Sequence, residues 1–266
     1  MTPEEITAAA RRLDEAERSG RQIGLLTRDH PDMGLDDAYA VQDAWVAIKR
    51  EAGRRQIGWK IGLTSKAMQA ALNIDTPDSG VLFDDMDFPD GAAIPQGRFI
   101  QPRIEAEVAF LLKAPLQGPG LGLTDVLGAT DHVCPALEIL DTRIVRADPE
   151  TGQTRKVFDT IADNAANAGL ALGGRPMRPD AVDLRWMGAI VSRNAAVEET
   201  GLAAGVLNHP AMGLVWLANR LALYGQGLRA GDVVLSGSFI RPVECRRGDT
   251  ITTDFGPCGT VSLHFE

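Results

Sequence analysis

Ile100-Gln101-Pro102-Arg103-Ile104-Glu105-Ala106-Glu107-Val108-Ala109-Phe110-Leu111-Leu112 is the stretch on which the fold and the chemistry both turn. Apolar Ile104, Ala106, Val108 and Phe110 recur at every second position, the period of a β-strand. Side chains two apart on a strand share a face, so Glu105 and Glu107 point the same way, with Ala109 and Leu111 continuing that face. Two carboxylates side by side in an apolar strand repel each other and lose hydration. A hard divalent cation relieves both problems, and an all-oxygen donor set suits Mg²⁺, Mn²⁺ or Ca²⁺. The plain alternative is an edge strand whose polar face meets water.

A second apolar run, His132-Val133-Cys134-Pro135-Ala136-Leu137-Glu138-Ile139-Leu140-Asp141, carries one further acid at Glu138. A lone glutamate sharing a face with Ala136 and Leu140 calls for a counter-charge or an ion. An ion pair with Arg103 or Arg143 would satisfy it. Combined with Glu105 and Glu107, it would complete a three-carboxylate metal site drawn from two strands, with positions left for water and substrate.

The bulk properties bound the function. A chain of 266 residues with 44% hydrophobic residues has room for one large domain, or one with a small appendage. Its formal net charge of −9 argues against nucleic acid or an anionic membrane surface as a partner. It leaves room for an anionic small molecule, because a local metal outweighs the global charge. The three cysteines, Cys134, Cys245 and Cys258, form no CxxC, which argues against a disulfide framework or a zinc site. The polar, acidic N-terminus is unlike a signal peptide, and no apolar run approaches the roughly 18 residues of a membrane span. The expectation is a cytoplasmic protein. No internal repeat or low-complexity segment is found.

Thr2-Pro3-Glu4-Glu5 reads as a capping box opening a first helix, with Ile6, Ala10, Leu13 and Ala16 at helical spacing. After a loop at residues 29–32, a second helix is predicted from about Leu35 to Glu51, with Ala38, Val41, Trp45 and Ile48 on one face. Lys60 then sits in an apolar, glycine-flanked strand, Gln56-Ile57-Gly58-Trp59-Lys60-Ile61-Gly62. Buried lysine is rare enough to suggest a role beside a metal site, against snorkelling or a structural ion pair. Thr64 or Ser65 is expected to cap a short helix through Leu72. Asp75 to Gly80 reads as a turn-rich loop, where Asp78 alone would pass for a turn residue.

Further on, residues 148–152 read as a loop tip. Phe158 to Gly169 packs small and amide side chains densely, as close backbone approach to a ligand would require, or as a helix ending at Gly169 would show. Leu184, Trp186, Gly188 and Ile190 alternate as a strand, with a tight turn at Arg193-Asn194. A helix begins at Asn208-His209-Pro210, carries Leu214, Leu217 and Leu221, and stops near Gly225. His209 reads as a first-turn surface residue. Strands follow at residues 233–239, 251–254 and 260–265. Helices first and short strands afterwards predict an α+β protein on a β-rich core, an N-terminal α-rich cap over residues 1–75 and a catalytic β-rich domain over 76–266.

Several of these segments resemble one family together. They are Lys60-Ile61-Gly62-Leu63-Thr64-Ser65-Lys66, the Glu105-x-Glu107 pair, Pro135-Ala136-Leu137-Glu138, Asp159-Thr160-Ile161-Ala162-Asp163-Asn164, Gly205 to Pro210 and Ser236-Gly237-Ser238-Phe239. The chain is similar over nearly its whole length to the 2-hydroxydienoate hydratases and 4-oxalocrotonate decarboxylases of the fumarylacetoacetate hydrolase superfamily. The resemblance implies a mixed β-roll core with a smaller N-terminal helical part. It implies Glu105, Glu107 and Glu138 as ligands of Mg²⁺ or Mn²⁺, and Lys60 and Asp78 as catalytic residues at the 2-oxo acid end of the substrate. Ser238 and Asp163 would line the substrate pocket. The implied activity is addition of water to a 2-hydroxy-2,4-dienoate in aromatic meta-cleavage catabolism, by a homo-oligomer of dimers assembling to a decamer. His30 and His132 depart from the aromatic residues expected at those positions.

Three other functions compete. A decarboxylase would use the same metal grip to expel CO₂. A C–C bond hydrolase would need a His/Glu pair beside the metal, and neither His30 nor His132 offers one. A non-catalytic partner subunit of a decarboxylase has no need of buried carboxylates and a buried lysine. A dienedioate substrate would also need a second cationic contact, for which Arg103, Arg143, Arg155, Lys156 and Arg193 are the candidates.

Overall fold

The computed structural model describes residues 1–66, 69–70, 74 and 76–266. The helix expected through Leu72 and the turn at Asp75 run into residues outside that set. Three helices open the chain: α1 (Pro3–Ser19), α2 (Leu26–Asp29) and α3 (Leu35–Glu51). The capping box forms as its sequence requires, with the Thr2 hydroxyl accepting from Glu5 N at 3.3 Å and the Glu5 carboxylate accepting from Thr2 N at 2.7 Å. Two further α-helices, α4 (Leu123–Ala129) and α5 (Val157–Ala162), lie between strands. A last one, α6 (Ala211–Ala222), buries Leu214, Leu217 and Leu221. No helix among the described residues is long and apolar enough to cross a membrane.

The strands are β1 (Gln56–Gly62), β2 (Asp78–Phe83), β3 (Asp87–Pro89), β4 (Ala92–Ile94), β5 (Arg103–Leu112), β6 (Thr130–Leu140), β7 (Asn167–Leu172), β8 (Gly188–Arg193), β9 (Ala196–Leu202), β10 (Val233–Leu235), β11 (Val243–Glu244), β12 (Thr250–Asp254) and β13 (Thr260–Phe265). The larger sheet runs β2-β1-β10-β5-β6-β7-β3, with β11 also pairing with β5, and the smaller runs β4-β13-β12-β8-β9. Both are mixed: β1–β10, β3–β7 and β4–β13 pair parallel, and the other ladders are antiparallel. This is an α+β fold. Strand β1, which the sequence places in the N-terminal cap, pairs within the larger sheet between β2 and β10.

The alternation in β5 sorts its side chains between two cores. Ile104, Ala106, Val108 and Phe110 pack into one built with α6 and the smaller sheet, joining Leu214, Val191, Ile251 and Leu263. The opposite face carries Ala109, which joins Ala136, Leu235 and Leu170 under the N-terminal helices, against Leu13, Val41 and Trp45. Glu105 and Glu107 lie on this second face, in the layer between sheet and helices. The three cysteines are buried free thiols.

Four local expectations change in three dimensions. Asp78 is the first residue of β2 and is buried, because the strand continues back from Val81 to pair with Gly62. The helix at Phe158 ends at Ala162, not at Gly169, because residues 164–166 turn left-handed into β7. Leu184 and Trp186 belong to a 3₁₀ turn before β8, and Trp186 is 72% exposed. Strand β10 stops at Leu235, and the chain beyond it closes over the carboxylates. The turn at Asn194 is a two-residue hairpin with both central residues at positive φ, which joins β8 to β9.

Candidate metal centre and active site

Glu105 stands directly opposite Glu138 in the β5–β6 ladder, and Glu107 follows two residues on, opposite Ala136. One carboxylate oxygen from each of the three lies within 4.8 Å of the others. Glu107 Oε2 accepts a hydrogen bond from Gly237 N at 2.7 Å, and Glu138 Oε1 accepts from Asn167 Nδ2 at 2.8 Å. Their remaining oxygens, Glu107 Oε1 and Glu138 Oε2, are buried without a partner among the described residues. Burial, reinforced by the neighbouring carboxylate of Glu138, pushes the Glu105 carboxyl up to about 8. The same two causes, with Glu105 added, hold Glu107 well above the ordinary range.

Lys60 closes one side of this group. Its Nζ lies 3.3 Å from Glu138 Oε1 and donates to the carbonyl of Ala165 at 3.2 Å. The side chain is buried, which by itself would lower its pKa. The carboxylates of Glu138, Asp78, Glu105 and Glu107 outweigh that, so Lys60 holds its proton more firmly than an ordinary lysine. The ion-pair partner of Glu138 is therefore Lys60, and neither Arg103 nor Arg143.

Asp78 reaches the same spot from β2. Gly62, its partner in the β1–β2 ladder, explains how: a Cβ there would fall 2.3 Å from Asp78 Oδ1 and 2.9 Å from Lys60 Nζ. The missing side chain leaves the space in which the lysine and the aspartate converge. Burial raises the Asp78 carboxyl to about 6 against the opposing pull of Lys60, and its Oδ1 has no hydrogen-bond partner among the described residues.

The segment after α5 ties these groups together. Asn164, Ala165 and Ala166 have φ of 51°, 50° and 61°, a left-handed run that non-glycine residues rarely adopt. The Asn164 side chain holds it in place, its Oδ1 accepting from Val81 N at 2.8 Å and its Nδ2 donating to Val81 O at 3.0 Å. Gly80 admits the turn, since a Cβ there would meet Asn164 O at 2.5 Å. The turn aims the Ala165 carbonyl at Lys60 and delivers Asn167 to Glu138. The sequence singled out this segment for its small and amide residues, but the roles of Asn164, Ala165 and Asn167 depend on that left-handed path.

The two residues expected to line the substrate pocket are otherwise engaged. Asp163 pairs with Arg143, its carboxylate accepting from both Arg143 Nε and Arg143 N, while its backbone carbonyl accepts from Arg143 Nη2 at 2.7 Å. Both residues are buried, which lifts Asp163 to about 6 despite the guanidinium. Ser238 is half-buried, with its hydroxyl donating to Ile240 O at 3.0 Å. Gly237, just before it, reaches Glu107 because it has φ of 115° and no Cβ, which would sit 2.3 Å from Thr64 Oγ1. His209 is turned to its own helix start, accepting from Ala211 N.

The donor set fits a divalent cation. It is all oxygen, drawn from adjacent strands, and two of its buried oxygens lack any partner among the described residues.

No protein-family model matches the chain. It is 57% identical over 259 residues to the 2-oxo-hept-4-ene-1,7-dioate hydratase of Escherichia coli, covering 97% of each chain. It is 40% identical over 262 residues to the 2-hydroxyhexa-2,4-dienoate hydratase of Comamonas testosteroni, covering 98% of this chain and 97% of that one. The solved structure of 4-oxalocrotonate decarboxylase from Pseudomonas putida G7, complexed with magnesium and adipate, aligns with a TM-score of 0.94 at 36% identity, covering 100% of this chain and 99% of that one. With similarity running end to end to both activities, the chain belongs to the family of 2-hydroxydienoate hydratases and 4-oxalocrotonate decarboxylases.

Proposed function

We propose that the protein is a metal-dependent hydro-lyase that converts 2-hydroxyhepta-2,4-dienedioate into 4-hydroxy-2-oxoheptanedioate. The observation that carries the reading is the group formed by half-buried Glu105 with buried Glu107 and Glu138, on which Lys60 and Asp78 converge. Glu105, Glu107 and Glu138 would hold Mg²⁺ or Mn²⁺. When bound, such an ion supplies a Lewis acid for a carboxylate and its adjacent oxygen.

The rest is the work of the chain's own groups. Lys60, fully protonated and fixed by Glu138 and the Ala165 carbonyl, hydrogen-bonds the 2-oxygen and steadies the charge left as the enol proton departs. That proton balances the one gained at C5, which gives a conjugated 2-oxo-3-ene. Water then adds across it, hydroxyl to C4 and proton to C3. Asp78, raised into the range where it exchanges protons near neutrality, holds Lys60 and a water within the pocket. Ser238 borders the pocket beside Gly237, and Asp163 acts on it through Arg143 and the turn that follows.

With this activity the protein would act in meta-cleavage catabolism of 4-hydroxyphenylacetate, in the cytoplasm. Exposed apolar side chains on the smaller sheet and the turn before it, Trp186, Ile190, Val197 and Leu202, support an interface between subunits of a homo-oligomer, proposed as dimers assembling to a decamer. The decarboxylase alternative draws support from the 0.94 TM-score, the hydratase from the higher identity of its namesake.

The deciding experiment incubates the purified protein with 2-hydroxyhepta-2,4-dienedioate and with 2-oxohex-3-enedioate, with and without Mg²⁺, and identifies products by mass. Gain of one water by the first, only with metal, is expected. Loss of CO₂ from the second would move the protein to the decarboxylase branch.

A further inference from the structure

The face of β5 that carries Glu107 and Glu105 continues to Arg103, about 7 Å beyond Glu105 at the strand's rise per residue. Arg103 opens into a cavity of about 450 Å³ at the end of the β5–β6 ladder. In a chain of net charge −9, that cavity is lined by five arginines, Arg103 and Arg155 among them, against Glu244 and Glu266. Neither Arg103 nor Arg155 forms an ion pair among the described residues, and both are half-buried. Arg155 is anchored by a hydrogen bond from Nη1 to the Ile144 carbonyl at 3.2 Å. Its guanidinium is pushed down by burial, and the nearby cations Arg103 and Arg146 push the same way against Asp163 and Asp159.

Two other cations that might receive a distant anionic group are already committed. Arg143 is bound to Asp163, and Arg193 to Glu198 at 2.6 Å. Lys156 is exposed and is not part of the cavity lining. Like charges left facing one cavity are stabilised by an anion between them, and the planar guanidinium fork matches a carboxylate.

We propose that Arg103 and Arg155 seat the far carboxylate of a dicarboxylic substrate whose 2-oxo acid end lies at the glutamate triad. The inference rests on the hydratase reading for the near end and adds to it the selection of dioates over monoacids. The dimensions agree: the two carboxylates of an extended seven-carbon diacid lie roughly 7 to 8 Å apart by bond lengths, comparable to the Arg103–Glu105 step. A substrate lacking the second carboxylate would leave the arginines facing each other.

The test uses a pair of unreactive ligands of equal length, 2-oxoheptanedioate and 2-oxoheptanoate, titrated calorimetrically into the Mg²⁺-loaded protein. The wild type is expected to prefer the diacid by at least about tenfold. Arg103→Met and Arg155→Met should each reduce that preference to about twofold or less while leaving the monoacid affinity unchanged, and Arg103→Lys should restore part of it. An Mg²⁺-induced rise in melting temperature equal to the wild type's shows that a variant keeps its fold and its metal site. Equal wild-type affinity for both ligands, retention of the preference in both Met variants, or parallel loss of both ligands would overturn the proposal. Because the ligands are not turned over, failure to hydrate the dienedioate would count against the hydratase reading alone.

Discussion

Glu105 and Glu138 face each other across the β5–β6 ladder, and Lys60 Nζ, 3.3 Å from Glu138, is the one cation placed among the three glutamates by the ion pairs of the described residues. One ammonium does not balance Glu105, Glu107, Glu138 and Asp78 together, and like charges directly opposite on a sheet destabilise it. Above about pH 8, where Glu105 is ionised, Glu105→Gln should therefore raise the metal-free melting temperature by a few degrees. It should also abolish most of the rise that Mg²⁺ produces in the wild type. Differential scanning fluorimetry with and without Mg²⁺ reads both, and an unchanged Mg²⁺ response would show that Glu105 is not a ligand.

The raised carboxyls set a pH dependence. Glu105, near 8 in the folded metal-free protein, keeps a proton that an unfolded glutamate loses near pH 4.3. Its contribution to metal-free stability is therefore fully present below about pH 4 and is lost as the pH rises through 8. Metal binding displaces that proton, so Mg²⁺ affinity should rise across the same interval and binding should release protons. Titration calorimetry in buffers of different ionisation enthalpy measures the release. Proton release that is absent at pH 6 would contradict the assignment.

Lys60→Met separates holding the metal from using it. Removing the ammonium takes a competing positive charge from beside the three glutamates, so Mg²⁺ should bind at least as tightly as in the wild type. Turnover should fall by about 10² to 10⁴, the range for a lost proton-transfer group. Single-turnover kinetics at saturating Mg²⁺ would measure it, and full activity in the variant would remove Lys60 from the reaction.

Asn164→Ala tests the left-handed turn. The substitution deletes both hydrogen bonds to Val81 and leaves buried backbone groups unpaired, at about 1 to 3 kcal/mol. Because the turn carries Ala165 and Asn167, kcat should fall while the Mg²⁺-induced stabilisation survives. Chemical denaturation measures the first effect and steady-state kinetics the second. Loss of stability with kcat unchanged would make the turn purely structural.

The helices α1 and α3, the hairpin at Asn194 and the two glutamate strands were legible because each is specified by a local pattern: a capping box, a 3.6-residue period, a tight-turn pair or an alternation. Glu105, Glu107 and Glu138 stood out for the same reason, since a carboxylate in an apolar alternation is conspicuous in one dimension. Asp78 was hidden among turn residues, and only the resemblance marked it. Asn164 and Asn167 were conspicuous as amides but had no assignable partner, because those partners lie on strands distant in sequence.

The sequence by itself determined which side chains would share a face of each strand, because strand alternation is a property of consecutive residues. It also determined that three carboxylates would stand in apolar strand runs. The tertiary structure alone decided which charges meet. Arg143 was a plausible partner for Glu138 by composition, yet it closes on Asp163, and Lys60 takes its place. The physical reason lies in the β1–β2 and β5–β6 registers and the vacant space over Gly62, which bring charges from remote segments within hydrogen-bonding distance. Coulomb energy in a buried site depends on that distance, and the linear chain does not contain it.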